Sequence, residues 1–303
     1  MGLTSSLQPL WQARGRIREG LAGFDAALAD LDAQHAEVAD AVRARALADR
    51  AMLAIWVGAT DSMAQAQQAL AIAREVDDPA LLARALTACG LTSALVGVDL
   101  ARPYFAEAIG LARELDDRWR LIHILAWQAI AAMGAGDPIA TRAAAEEGRD
   151  LAEAIGDRYH SRRCRLCLGM AQVFQGDLAG ATAQFAELVA EAQTAHDGIL
   201  EVTSLAYQGD ALAYQGDTAA ARAAADAAIE AAAELGGAFA AVGYAALGFA
   251  ALAAGDGATV RDATEARPYL SALPQMVALG RVLSALAALA GGDLGAALSL
   301  IHI

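Results

Sequence analysis

RYHSRRCRLCLGMAQVFQGDLAGATAQFAELVAEAQTAHD, residues 158–197, holds two apolar-periodic segments and two turn signals. The first segment runs from about Tyr159 to Gln175 and stops at Gly176-Asp177. Glycine accepts the left-handed conformation that closes one helix, and aspartate caps the next. The second segment runs from about Leu178 to Thr194 and stops before Asp197-Gly198. One such helix pair cannot bury its own apolar face, so the fold is decided by whether the pair recurs.

It does recur. Asp61, Asp99, Asp137, Asp177, Asp217, Asp256 and Asp293 are separated by 38, 38, 40, 40, 39 and 37 residues. A second series, Asp78, Asp117, Asp157, Asp197 and then Gly237, falls between them at 39, 40, 40 and 40. Two interleaved series with one period predict tandem copies of one unit. The expected fold is all-α, a right-handed superhelical α-solenoid of about seven helix pairs, with no strand. Six prolines and 5% aromatics argue against a large sheet protein, and alanine, the strongest helix former, dominates. A chain of 303 residues exceeds the usual single core, but a solenoid grows in length rather than radius. No Gly- or Ser-rich linker interrupts the register, so residues 1–303 read as one helical-repeat domain. The register stops ten residues past Asp293, part-way through a helix, so the last repeat reads as truncated, with an apolar end around Leu298, Leu300, Ile301 and Ile303.

All 22 basic residues are arginine. A Gly-x-x-x-x-Gly-Lys-Ser/Thr phosphate loop and a lysine Schiff base are therefore excluded within this segment. The bias fits a GC-rich bacterial genome. A net charge of −14 argues against nucleic-acid binding by the segment, because phosphate contacts need a basic stripe. The charge is uneven: residues 1–165 hold 18 Arg against 22 acids, and residues 166–303 hold 4 against 14. Cys89, Cys164 and Cys167 give no disulfide framework and suit a reducing cytosol. No basic n-region followed by an apolar core opens the chain. The uncharged stretch between Glu234 and Asp256 sits in the repeat register and reads as a buried solenoid helix, not a membrane span.

Within residues 158–197, Leu168, Gly169, Gly176, Ala181, Phe185 and Leu188 fall at offsets 0, 1, 8, 13, 17 and 20. This resembles the tetratricopeptide pattern, in which small residues let two helices cross closely and an aromatic fills the gap to the next unit. The next copy keeps Gly209, Gly216, Ala221 and Ala228, with Ala225 in place of the aromatic. The period exceeds the usual ~34, as longer first helices would explain. Long Ala- and Arg-rich repeats of this kind look like the sensor region of large LuxR-type ATP-dependent regulators, the MalT-like group. The opening Leu10-Trp11-Gln12-Ala13-Arg14-Gly15-Arg16-Ile17-Arg18-Glu19-Gly20 is similar to the start of that region. The resemblance implies an ATPase before the segment and a helix-turn-helix after it; neither motif is present here.

In such solenoids the first helix of each pair, helix A, lines the concave face. Stepping six residues past each turn aspartate gives Arg84, His123, Arg163 and Thr203. Seven further on come Leu91, Ile130, Met170 and Asp210, then Leu95, Gly134, Phe174 and Tyr214. The result is an apolar wall with a cationic rim, suited to a peptide or protein partner or to an anionic effector. Arg158, Arg162 and Arg165 share one face by i, i+4, i+7 spacing, with His160 and Arg163 beside them. The blander reading of these arginines is a solvated face. His160, Cys164 and Cys167 offer three zinc-type ligands but no evident fourth, so no metal is expected. No nucleophile, base and oxyanion donor come together, so no enzyme and no cofactor are expected in this segment. The reading is a cytoplasmic helical-repeat sensor within a LuxR-type regulator. The alternative is a free-standing scaffold, and an enzyme is the third choice.

Overall fold

A typical turn aspartate serves two helices at once, which explains its periodicity. Its backbone N–H closes the helix behind it: Asp137 donates to Ala132 O at 3.0 Å, Asp157 to Ala152 O at 2.8 Å and Asp217 to Leu212 O at 3.0 Å. This is the six-to-one bond of a Schellman end. The carboxylate then caps the helix ahead. Asp78, Asp117, Asp137, Asp157, Asp177, Asp197, Asp217 and Asp256 each accept from a backbone N–H two or three residues on, at 2.9–3.1 Å. Each cap contributes about 1 kcal/mol. In a Schellman end the residue before the aspartate is left-handed. Gly136, Gly156, Gly176, Gly216 and Gly255 take φ of 70–84° there, and Asp116 and His196 do so at 50° and 52°. Three members of the two series depart. Asp78 caps the helix ahead, but its N–H donates to Val76 O at 2.8 Å after an extended Val76. Asp61 makes no cap bond and instead takes Arg50 at 3.2 Å and Gln65 at 2.7 Å. Asp99 lies inside its helix, which Gly97 precedes as the cap residue, because the chain turns two residues earlier there.

The computed structural model describes residues 2–33, 40–233, 235, 237–265, 274–293 and 299. Among them are fifteen α-helices, one 3₁₀ turn (Ile55–Val57) and no strand. The helices are α1 Gly2–Ala13, α2 Ile17–Ala33, α3 Asp40–Ala54, α4 Ser62–Glu75, α5 Pro79–Ala94, α6 Val98–Glu114, α7 Arg118–Gly134 and α8 Pro138–Ile155. They continue with α9 Arg158–Gln175, α10 Leu178–Ala195, α11 Gly198–Gln215, α12 Thr218–Ala232, α13 Gly237–Ala253, α14 Gly257–Glu265 and α15 Pro274–Ala290. The apolar end expected from residue 294 onward, apart from the helical Ser299, lies outside the described residues.

The helices group into two units. One comprises Met1–Gln12 and Arg16–Ala171, the other Ala13–Gly15 and Gln172–Ile303. In the first, α3 pairs with α4, α5 with α6 and α7 with α8, while α3, α5 and α7 lie side by side. In the second, α11 pairs with α12 and α13 with α14, with α11, α13 and α15 successive neighbours. Helix A therefore packs on its own partner and on the next helix A, the arrangement of a tetratricopeptide-like solenoid.

The repeat is legible in the packing. Phe105, Ala145, Phe185 and Ala225, forty residues apart, are all buried on second helices. Opposite them, Gly90 and Gly209 take equivalent positions on helix A. A Cβ on Gly90 would lie 3.0 Å from the Phe105 ring, and one on Gly209 would lie 3.2 Å from Ala221 O. Close crossing of α11 and α12 thus depends on a missing side chain. Gly209→Leu is expected to cost about 1–3 kcal/mol through overpacking; an unchanged urea midpoint would show that the crossing has slack.

The two cores differ in content. The first unit carries a continuous cluster with Leu47, Met52, Leu86, Phe105, Leu125, Trp127 and Leu168. The second is layered with alanine, Ala206, Ala225, Ala228 and Ala246 in one layer and Ala213, Ala221 and Ala250 in another. The uncharged α13 is part of this packing through buried Phe239, Ala241 and Ala246. Among the described residues no helix is long and apolar enough to cross a membrane.

Candidate ligand-binding site

Helix α7 presents Trp119, His123 and Trp127 at i, i+4, i+8, hence on one face. Trp119 stacks on His123, with ring centroids 5.5 Å apart and planes 11° from parallel. The Trp127 indole N–H donates to His123 Nε2 at 3.1 Å. An indole nitrogen can only donate, so Nε2 is the acceptor and the proton of the neutral imidazole sits on Nδ1. Burial, followed by His160, Arg84 and Arg120, holds His123 well below its ordinary pKa, in keeping with a neutral ring.

Helix α9 supplies the facing wall. Its cap, Asp157, accepts from the His160 N–H through Oδ1 at 3.1 Å and lies 2.6 Å from His160 Nδ1 through Oδ2. Burial would raise the Asp157 carboxyl, but its bonds and charge interaction with His160 outweigh that and leave it lowered. The His160 ring meets those of His123 and Tyr159 edge-on at 5.5 and 5.0 Å. The Arg163 guanidinium lies 4.7 Å over the Tyr159 ring, a cation–π contact, and Arg163 is 4% exposed.

Helix α1 closes the third side. Gln8, Pro9 and Gln12 join the walls of α7 and α9 around a cavity of about 370 Å³. Trp11 fixes this helix by packing edge-on to Phe24 of α2, at 6.0 Å. Gly20 leaves room for it, since a Cβ there would sit 2.8 Å from the indole. A second cavity of about 260 Å³ lies between Ser5 of α1, Arg45 of α3 and Arg84 of α5.

The residues picked out by spacing are placed as follows. His123 and Arg163 meet in the large cavity, with Ile130 beside them. Arg84 borders the smaller one and is bound to the fully buried Asp49 at 2.5 Å, with Arg45 at 3.9 Å on the other oxygen. It is therefore a structural partner of α3, not a free rim charge. Arg158 is exposed, Arg162 and Met170 are half-buried, Leu91 is buried and Leu95 exposed. In the second unit, Thr203 is buried and bonds Ile199 O at 2.8 Å. Asp210 is half-buried with one carboxylate oxygen unpartnered, and burial lifts it to about 7. Tyr214 is 59% exposed, its ring 6.0 Å from Phe249. Cys164 and Cys167 are buried, and burial pushes the Cys164 thiol up to about 12. No group of three or more metal-ligating side chains occurs among the described residues. Spacing from the turn aspartates missed Trp119, Trp127, Tyr159, Gln8 and Gln12. The i, i+4, i+8 run of Trp119, His123 and Trp127 was the available signal for α7; α1 precedes the repeat register and gave none.

Taken together, these features define a tetratricopeptide-like helical repeat with a ring-lined cavity on its A-helix face. A crystallised Rap protein, in complex with Competence and Sporulation Factor, shares the fold: TM-score 0.75 over 99% of this chain and 85% of that one, at 11% identity. No family model matches the sequence. Relatives in Mycobacterium tuberculosis (strains CDC 1551 and H37Rv) and Mycobacterium bovis, provisionally named HTH-type transcriptional regulators, are 52% identical over 297 residues, 96% of this chain. The chain spans about a third of the length of these relatives, 33%.

Proposed function

We propose that this chain is the helical-repeat regulatory module of an HTH-type transcriptional regulator, of the LuxR-type ATP-dependent kind, and acts by binding rather than catalysis. Identity of 52% across nearly the whole chain to one third of proteins so named carries the reading. The rest of such a protein would supply nucleotide and DNA binding, which a lysine-free chain of net charge −14 is ill suited to provide. The A-helix face would hold an effector or a partner segment and bias the remainder of the regulator, with no cofactor of its own. Its contribution is differential affinity between two states of the whole protein.

The gene around this segment gives the first test. A Gly-x-x-x-x-Gly-Lys-Ser/Thr upstream and a basic helix-turn-helix downstream are expected. The functional test is a promoter–reporter strain carrying the intact regulator. Trp119→Ala is expected to reduce the effector-dependent change in transcription about tenfold at equal protein level, in the range of a truncated aromatic hot spot. A reporter that responds identically after deletion of the whole segment would sink the proposal.

A further inference from the structure

The large cavity contains a polar group that folding alone does not explain. Gln12 is 3% exposed, lines the cavity, and its amide nitrogen has no hydrogen-bond partner among the described residues. Leaving a buried N–H unsatisfied is destabilising, and an apolar side chain of similar shape would avoid the loss. Gln8, one turn earlier on the same face and also 3% exposed, lines the same wall. Other lining residues add donors. His123 keeps its proton on Nδ1, because Trp127 occupies Nε2. Arg163 adds positive charge to the wall, whatever else it pairs with. The one lining carboxylate, Asp157, is already bound to His160 and to the start of α9. The apolar lining combines flat rings, Trp119, Trp127 and Tyr159, with aliphatic Ile130 and Ile155.

We infer that this cavity binds a small aromatic carboxylate, its ring against the indoles of α7 and its carboxylate at the Gln12 amide and Arg163. A cavity of about 370 Å³ accommodates one ring and an acid group. The inference rests on the regulatory reading in one respect only, that occupancy matters to the rest of the protein; binding itself is independent of it. The same chemistry comes from a free aromatic acid or from the C-terminal aromatic residue of a peptide.

Binding of 4-fluorophenylacetate to the 303-residue chain, followed by ¹⁹F NMR, tests this. Neutral 4-fluorophenylacetamide serves as comparison, and a tripeptide ending in 4-fluorophenylalanine, as acid and as amide, is the second arm. The acid is expected to bind and its amide to bind about tenfold more weakly, as when a donor site loses its acceptor. Gln12→Met should weaken the acid about tenfold while leaving the thermal midpoint equal or higher, because it removes an unsatisfied group. That pairing separates a ligand contact from a structural one. Binding of both acids, or of 4-fluorophenylacetate alone, identifies a free acid as sufficient, and binding of the peptide acid alone identifies a chain terminus; either upholds the aromatic-carboxylate site. No binding by either acid, equal binding of acid and amide, or binding untouched by Gln12→Met overturns it. A reporter response that survives such a failure leaves the regulatory reading standing, and binding without any reporter response fails that reading alone.

Discussion

Arg84→Ala is expected to destabilise the first unit by about 3–5 kcal/mol, the cost of leaving a buried carboxylate without its partner. Asp49 is fully buried on α3, and its 2.5 Å contact to Arg84 ties α3 to α5. The remaining cation, Arg45, is 3.9 Å away and 44% exposed, so it recovers little. Charge reversal at Arg84 would place two carboxylates together and cost more. Arg84 thus acts on the fold, so its reversal cannot isolate a contact to an acidic partner. Urea unfolding followed by helix signal gives the number. Replacing both residues, as in Asp49→Leu with Arg84→Leu, should recover most of the loss, because an apolar pair needs no desolvated charge. A loss below about 1 kcal/mol for Arg84→Ala would place the pair among exposed ones and remove the argument.

Asp210→Asn is expected to stabilise the second unit by about 2–4 kcal/mol at pH 8 and to have little effect near pH 4. Burial lifts the Asp210 carboxyl to about 7, while an unfolded aspartate titrates near its ordinary value. Between those values the folded chain holds a proton that the unfolded chain has released. Stability therefore falls as pH rises through the window, and remains low above it. Asparagine has no such proton and removes the slope. His123 has the opposite sign. Its folded value is depressed, so stability in the first unit is lost as pH drops below the unfolded histidine value of about 6.5. Urea midpoints at pH 5 and pH 8, for the parent and Asp210→Asn, distinguish the contributions. Equal pH slopes in the two proteins would show that water already reaches the Asp210 carboxylate.

The fold was legible because the turn chemistry is local. One aspartate both closes a helix and caps the next, so its spacing alone defines the unit, and Phe105, Phe185, Gly90 and Gly209 then fall where a helix pair needs them. Within the series from Asp61 to Asp293, the departures at Asp61 and Asp99 are the positions without a preceding glycine; in the other series Asp116 and His196 take the left-handed turn in its place. The site was only half legible. His123 and Arg163 follow from counting along helix A. Asp49, which ties down Arg84, is 35 residues away in sequence, and no periodic rule pairs them. Gln8 and Gln12 belong to a helix outside the repeat register, and their meaning comes from what α1 lies against.

The three cysteines make opening of one unit directly observable. Cys89, Cys164 and Cys167 are all buried, and burial raises every thiol, Cys89 and Cys164 to about 12, so almost no thiolate exists at neutral pH. A thiol in that state reacts with an alkylating reagent only when the structure around it opens. All three lie before residue 172, and the second unit contains none. The rate at which iodoacetamide modifies the protein is thus a clock for one unit alone, readable by mass, while amide exchange reports on both. Their ratio measures how independently the alanine-layered half breathes.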